Sequence, residues 1–286
     1  MKLSIIMVSW NTAEFTKKAL ASVFKETNGF EYEVIVVDNN SSDLSVSMIQ
    51  KEFPLVRLIE NKENVGFGKA NNQGMLIAKG DYFFLLNTDT LISDSAITKL
   101  VNYLDLYPEV TCVGPRLLNT DGTFQHACRR NLPNPVSAFF HLFGFTKIFT
   151  KNRVVNTYKK YVDNPDITEP VEAISGAAMM FRRNVYEVIG GFDEDFFMYG
   201  EDLDFCKRVF DQGWKTVYVS ESRITHFGGG SSNKRRTASL VNFYESMWIY
   251  YKKHFYSKAN LILSCIIFAG IKVRMVVALI INMIKK

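Results

Sequence analysis

The chain has 286 residues, 47% hydrophobic and 14% aromatic, enough apolar material for one large α/β domain or a domain with an appendage. Its four cysteines, Cys112, Cys128, Cys206 and Cys265, are far apart and form no CxxC, which speaks against a zinc site or a disulfide scaffold and for a reducing compartment. The net charge of +5 is uneven: residues 232–286 hold ten Lys or Arg and one acid, Glu245, while residues 1–231 are net acidic, so the tail is expected to meet an anionic surface, membrane or nucleic acid.

In chain order, LSIIMVSW (3–10) is a β-rich run that stops at Asn11-Thr12, and it reads as a first strand, not as a signal peptide. Residues 12–25 read as a helix with Phe15, Ala19, Leu20 and Val23 on one face. YEVIVVDNNSSD (32–43) is an apolar run ending in polar residues, the pattern of a strand buried on both faces of a parallel sheet. Residues 43–53 read as a helix, VRLIEN (56–61) as a strand, and GKANNQGMLIAKG (68–80) as a helix capped by Gly80. YFFLLNTDT (82–90) is a fourth strand ending near Asp89. This alternation predicts a doubly wound, mostly parallel α/β sheet over residues 1–115, with right-handed crossovers.

Residues 119–170 are less regular, carry Arg129, Arg130, Pro133, Pro135 and the run FFHLFGF, and are expected to form a lid or partner-binding insertion. VEAISGAAMMFRR (171–183) reads as a strand and residues 184–196 as a short helix and turn. Residues 201–213 read as a helix, with Leu203, Phe205, Cys206, Val209 and Phe210 at helical spacing. KTVYVSESRITHFGGGSS reads as a strand running to His226 and then glycines.

In open α/β sheets, ligands sit beyond the carboxyl ends of the strands. Those ends here are Trp10-Asn11-Thr12, Asp38-Asn39-Asn40, Asn61 onward and Asn87-Thr88-Asp89, and all are polar. Asp38 suits a turn or helix cap, or an acceptor for a base or ribose. Asp89 suits a strand-end cap; beside a diphosphate it suits Mg²⁺ or Mn²⁺, which keep waters and fill their shells from phosphate oxygens. His226 suits a structural role, or a ligand contact that the adjoining glycines would admit. FFMYGEDLDFCKR (196–208) sets Glu201, Asp202 and Asp204 behind aromatics. Acids there complement a helix dipole; water exclusion by the aromatics would also raise a carboxyl's pKa, as a general base requires.

Other motifs fail. Gly66-x-Gly68 is no dinucleotide fingerprint, because Asn71 stands at the third position and the fragment follows the third strand. GxxxxGK[ST] is absent, so a P-loop is excluded, and Phe197 and Tyr199 spoil an EF-hand reading.

The stretches IIMVSWNT, VIVVDNNSSD, ENVGFGKANNQG, LLNTDT, SGAAMMFRR, GGFDEDFFMYGEDLDFCKR and ITHFGGGS, in this order, resemble family-two inverting glycosyltransferases of the GT-A fold, most of all the rhamnosyltransferase type that builds cell-envelope polysaccharides. The resemblance runs from about residue 3 to 250. It implies that Asp38 contacts the nucleobase, that Ser9, Trp10 and Asn11 shape that end of the site, and that Asn64, Gly66 and Asn71 line the nucleotide pocket. Asn87-Thr88-Asp89 matches the family's DxD position, with Asp89 on metal and diphosphate, and His226 matches a metal- or diphosphate-contacting histidine. Asp202 matches the catalytic base. Asn87 departs from the pattern, since many members carry an Asp there; its loss leaves the Mg²⁺ or Mn²⁺ fewer charged ligands. The implied donor is a nucleotide-diphosphate sugar, with dTDP-L-rhamnose the leading candidate, and the implied acceptor is a glycan or lipid-linked glycan. The chain then divides into a nucleotide-sugar-binding half (1–115), an acceptor-binding and catalytic-base half of the same domain (116–250) and a helical tail (251–286).

ANLILSCIIFAGIKVRMVVALIINMI (259–284) is apolar but interrupted by Lys272 and Arg274, and each half is too short to span a bilayer, which takes about 20 apolar residues. With Lys252, Lys253, Lys258 and the aromatics upstream, the tail reads as helices lying in a membrane interface, on the cytoplasmic face. The alternative is a helical pair packed on the domain or in a dimer. A nucleic-acid arm is disfavoured because the tail is too apolar. The competing reading of the whole is a non-catalytic nucleotide-sugar or glycan-binding module of the same fold.

Overall fold

The computed structural model describes residues 1–133, 164–229 and 236–284. Most of the expected lid, including FFHLFGF, and the basic residues Lys234 and Arg235 lie outside the described residues. The first part alternates as its sequence pattern requires: β1 (Leu3–Ser9), α1 (Ala13–Glu26), β2 (Tyr32–Asp38), α2 (Ser45–Glu52), β3 (Arg57–Glu60), α3 (Phe67–Ile77) and β4 (Tyr82–Leu86). The strands are continuous apolar runs because helices cover both faces of the sheet. Leu3, Ile5, Ile6 and Met7 of β1 are fully buried, each worth about 1.5–3 kcal/mol.

After β4 come β5 (Thr90–Ile92), α4 (Ala96–Leu106), β6 (Val110–Leu118), a 3₁₀ turn at His126–Cys128 and β7 (Arg129–Arg130). The second described stretch holds β8 (Glu169–Val171), β9 (Ala173–Ile174), β10 (Ala178–Arg182), α5 (Arg183–Ile189), α6 (Glu201–Asp211) and β11 (Lys215–His226). The main sheet runs β3-β2-β1-β4-β10-β6-β11-β5, with β8 pairing on β11, while β7 and β9 form a separate ribbon. β1, β2, β3 and β4 are mutually parallel, as are β6 and β11, whereas β10 lies antiparallel between β4 and β6. One sheet therefore takes strands from both sides of residue 115. The strands are parallel, but the order in which they are added to the sheet, 3-2-1 and then 4, reverses between β1 and β4, which opens a crevice at their carboxyl ends.

Two local expectations need correction. The run 171–183 is not one strand: it breaks at Glu172 and again at Ser175–Ala177 into β8, β9 and β10, and the second break faces the crevice. Helix α3 ends at Ile77, short of Gly80. Gly80 instead lets the backbone pass β1, its N–H donating to Ser4 Oγ at 2.8 Å.

The tail is α7 (Arg236–His254) and α8 (Leu261–Ile284). Lys272 and Arg274 do not divide it: α8 is one 24-residue helix with mean hydropathy 2.2, long and apolar enough to cross a membrane by length and composition. Lys and Arg are good helix formers and can lay their stems along apolar surface; Lys272 Nζ sits 5.6 Å from the Phe268 ring centre. The two helices run antiparallel, tied by Tyr251 Oη and Ser264 Oγ (3.0 Å), by Asn282 Nδ2 donating to Thr237 Oγ1 (3.1 Å), and by Trp248 against Phe268. The helix is inside out: Ser264, Gly270 and Asn282 face its partner, while Ile262, Val273, Val276, Ile280 and Met283 are exposed.

α7 is fastened to the sheet domain through Asp204 of α6, which is wholly buried. Its carboxylate takes Lys253 Nζ at 2.8 Å, His254 Nε2 at 2.9 Å and Arg208 Nε at 2.9 Å. Burial alone would raise this carboxyl, but hydrogen bonds from His254 and Lys253 and the charge of Arg208 overcome that and hold it down to about 2.

Candidate active site

The crevice at the β1/β4 carboxyl ends is a cleft of about 270 Å³. Val8 and Trp10 come to it from β1, Asn39 from β2, and Asn87, Thr88 and Asp89 from the turn after β4. Asn64, Gly66 and Phe67 enter from the start of α3, and Phe197, Met198 and Tyr199 from the loop before α6. These two segments are pinned together: Phe67 N–H donates to Phe197 O at 2.8 Å. Gly66 adopts φ +91°, and a Cβ there would stand 2.6 Å from Phe197 O, so only glycine fits this seam.

His226 ends β11 and lies opposite Asp89, with Nε2 3.3 Å from Asp89 Oδ1. Gln125 grips it twice: its amide Nε2 donates to the His226 carbonyl at 2.7 Å, and its Oε1 meets Nδ1 at 3.0 Å. That oxygen can only accept, so Nδ1 carries a proton and donates. Nε2 faces Asp89 Oδ1 and lies 3.5 Å from Asn87 Nδ2, so either a proton on Nε2 donated to Asp89 or a cation shared by the two satisfies the contact. Metal bonds of about 2.1 Å at a right angle set ligand atoms about 3 Å apart, so the pair fits a divalent cation. Among the described residues no group of three or more His, Cys, Asp and Glu could hold a metal. A cation here would complete its shell from diphosphate and water, as Mg²⁺ and Mn²⁺ do.

On the opposite wall α6 begins with Glu201 and Asp202, 6% and 9% exposed. Asp202 Oδ2 accepts from Arg130 Nη2 at 2.5 Å and from the Gly176 amide at 3.0 Å. Gly176 makes room for this approach, since a Cβ there would lie 3.2 Å from Asp202 Cβ. Oδ1 accepts from the Leu203 amide at 2.7 Å, which leaves it a second lone pair. The cleft thus has at one end a carboxylate, Asp202, held by Arg130 and the Gly176 amide, and at the other the facing Asp89–His226 pair.

A family model for glycosyl transferase family 2 matches residues 4–190, about two thirds of the chain. The chain belongs to glycosyl transferase family 2. A second model, the N-terminal domain of galactosyltransferase, matches residues 156–228, the stretch that carries Asp202 and His226. The chain is similar to the N-acetylglucosaminyl-diphospho-decaprenol L-rhamnosyltransferase of Mycobacterium tuberculosis, 25% identical over 87% of this chain and 83% of that protein. In fold it resembles S. aureus TarS residues 1–349 (TM-score 0.59, 16% identity, 96% of this chain and 71% of that one). It also resembles the mannosyltransferase PcManGT of Pyrobaculum calidifontis in complex with GDP-Man and Mn²⁺ (TM-score 0.59, 17% identity, 94% and 68%). The fold is GT-A, with an apolar helix added at the C-terminus.

Within this glycosyltransferase, Trp10, Asn64, Gly66, Asn87, Thr88, Asp89, Asp202 and His226 line one cleft. Ser9, Asn11, Asp38 and Asn71 do not line it. Each Asp38 oxygen accepts one bond from Ser41, from its N–H at 2.7 Å and its Oγ at 2.6 Å, so this strand-end acid caps a turn and keeps further acceptor capacity. Asn11, at φ 54°, accepts from the Ser42 amide at 2.7 Å. Asn71 Nδ2 donates to Phe67 O within α3, and Ser9 is buried at the end of β1. Arg130 and Gln125, which position Asp202 and His226, carry no local signal: they reach across 72 and 101 residues of sequence.

Proposed function

We propose that this glycosyltransferase inverts the anomeric centre as it moves a sugar from a nucleotide-diphosphate donor to a hydroxyl of a glycan or lipid-linked acceptor, in cell-envelope polysaccharide synthesis. The observation that carries the reading is that Asp202 and the Asp89–His226 pair face one cleft at the sheet's switch point. L-rhamnose as the sugar, and a lipid diphosphate bearing N-acetylglucosamine as the acceptor, are supported by the mycobacterial relative's name.

In this mechanism Asp202 accepts the acceptor hydroxyl's proton on Oδ1 while the oxygen attacks the anomeric carbon. The bond from that carbon to the diphosphate breaks, and the diphosphate leaves with the electron pair. Attack opposite the leaving group inverts the anomeric centre. Arg130 and Gly176 keep the carboxylate plane fixed during attack, and Phe197, Met198 and Tyr199 exclude water from the sugar. Asn64 and Trp10 bind the nucleotide end, with Ser9, Asn11, Asp38 and Asn71 shaping that end of the site. Mg²⁺ or Mn²⁺ on Asp89 and His226 would offset the charge that gathers on the diphosphate.

The inside-out hairpin of α7 and α8 is read as a peripheral membrane contact on the cytoplasmic face, where nucleotide sugars are available. α8 stays paired with α7 at both ends, through Ser264 and Asn282, which suits a helix lying in the interface.

The test is transfer from dTDP-L-rhamnose to an N-acetylglucosaminyl diphosphate lipid, read by NMR of the product anomer. Inversion by the native chain, and loss of transfer in Asp202→Asn with dTDP affinity retained, are expected. A product of unchanged anomeric configuration, or native-like turnover in that variant, sinks the reading.

A further inference from the structure

The segment 192–200 carries the cleft wall of Phe197, Met198 and Tyr199 and runs into α6. Its last turn is strained. Tyr199 sits at φ +71°, in the left-handed region that a side chain resists, and Gly200 follows at φ +83°. Such backbone persists only where its surroundings hold it. Two helices do so. On one side α3 grips the beginning of the segment: Asn72 Nδ2 donates to the Phe192 carbonyl at 2.9 Å, and Asn72 Oδ1 accepts from the Phe192 amide at 2.8 Å. On the other side stands α7, whose Phe243, Ser246, Tyr250 and Lys253, at steps of three and four, share one helix face. The Phe243 ring meets that of Tyr199 edge-on, with 6.0 Å between centres and 80° between planes. Ser246 packs on the backbone of Gly200, where a Cβ would lie 3.2 Å from Ser246 Cβ. Lys253 pairs with Asp193 as well as with Asp204. Asp193 in turn folds the first bend of the segment, its carbonyl accepting from the Phe196 amide at 3.2 Å and its Oδ1 from the Asp195 amide at 3.0 Å.

We propose that Phe243 and Lys253 of α7 are positioning residues for glycosyl transfer. Neither lines the cleft; from outside it they fix the Tyr199-Gly200 turn, and through it the wall that keeps water from the sugar beside Asp202. This rests on the glycosyl-transfer reading and gives α7 a task in the reaction apart from carrying α8. Phe243 is 41% exposed, so its truncation loosens the turn without opening the core.

The experiment uses the full chain with dTDP-L-rhamnose, with and without the N-acetylglucosaminyl diphosphate lipid. Phe243→Ala should lower transfer by about tenfold, the cost of a displaced wall. Hydrolysis of the donor in the absence of acceptor should hold at the native rate or rise, because a looser wall admits water. Phe243→Tyr, which keeps the ring edge against Tyr199, should restore transfer to within about twofold of native. Asp193→Asn cuts the Lys253 tie on the segment's side and leaves Asp204 paired; it should shift the ratio of hydrolysis to transfer the same way, by about threefold. A general loss of stability would instead lower hydrolysis and transfer in equal proportion. That outcome, or native transfer in Phe243→Ala and Asp193→Asn, overturns the proposal. Hydrogen exchange of the unliganded protein judges α7 even if these substrates are not turned over. In Phe243→Ala, peptides covering 192–200 should exchange about fivefold faster while those of β1 and β4 keep the native rate. Native exchange across 192–200 overturns the proposal. Absence of turnover by the native chain counts against the rhamnosyl-transfer reading, with the exchange result standing apart from it.

Discussion

Arg130 Nη2 lies 2.5 Å from Asp202 Oδ2, and the Gly176 amide reaches the same oxygen. One carboxylate oxygen is thereby clamped by two donors, while the other accepts only from the Leu203 amide among the described residues. Arg130→Met removes the clamp without touching the nucleotide end. It should lower kcat by about 10–100-fold, the usual consequence of a misplaced reacting group. The dTDP affinity, measured by calorimetry, should stay within about twofold.

Gln125 fixes the ring and tautomer of His226. Gln125→Leu removes both hydrogen bonds and frees the imidazole to turn. Loss of such an outer partner typically costs about 10–100-fold in metal affinity. Calorimetric Mn²⁺ titration in the presence of dTDP should show that weakening, whereas Gln125→Glu, which still accepts from Nδ1, should bind Mn²⁺ close to native.

Asp204 is the buried acceptor of Arg208, Lys253 and the His254 ring, the last two on α7. Asp204→Asn leaves Arg208 and Lys253 underpaired and should cost about 3 kcal/mol of stability, read by chemical denaturation. The native carboxyl is held at about 2, below its ordinary 3.8. Its contribution is therefore complete above about pH 4 and disappears as pH falls towards 2. The gap between native and variant should close over that acid range.

Glu201 gives the opposite sign. Its carboxyl binds a proton in the folded state up to about pH 8 but releases it near 4.5 when unfolded. Between those values the native protein loses stability as pH rises, on the order of 1 kcal/mol per unit. Glu201→Gln removes this penalty. Its melting temperature should match the native one near pH 4.5, exceed it increasingly up to about pH 8, and keep a constant lead beyond.

The sheet was legible where physics is local. Apolar runs such as LSIIMVS and YEVIVVD can only be strands buried on both faces, and the polar residues at their ends mark the crevice. Asp89, Asp202 and His226 stand at a strand end or a helix start, so the sequence exposes them as candidates. The antiparallel entry of β10 between β4 and β6 was not legible, because AMMFR packs equally well in either direction. Nor were Arg130 and Gln125, whose partners are brought near only by the fold. The tail was half legible: its apolarity was plain, but two charges looked like a break that helix propensity overrides.

Removal of α8 should separate membrane contact from catalysis. A chain cut after residue 257 loses the exposed apolar face but keeps most of the contacts of α7 to Asp204. In flotation with vesicles containing anionic lipid, the full chain should rise and the cut chain should stay behind. Equal flotation would place the membrane contact elsewhere, and a monomer-to-dimer difference between the two chains would favour the packing alternative.

α7 touches the catalytic side at Asp204, at Asp193 through Lys253, and where Phe243 meets the ring of Tyr199, which lines the cleft. Its other side carries α8. If α8 is seated at a lipid surface as proposed, the cleft would stand at a height above that surface set by the helix pair, and an acceptor tethered to lipid would be gauged by reach: only a hydroxyl at the matching distance from its anchor would arrive beside Asp202, so the hairpin would act as a ruler for the glycan that can be extended.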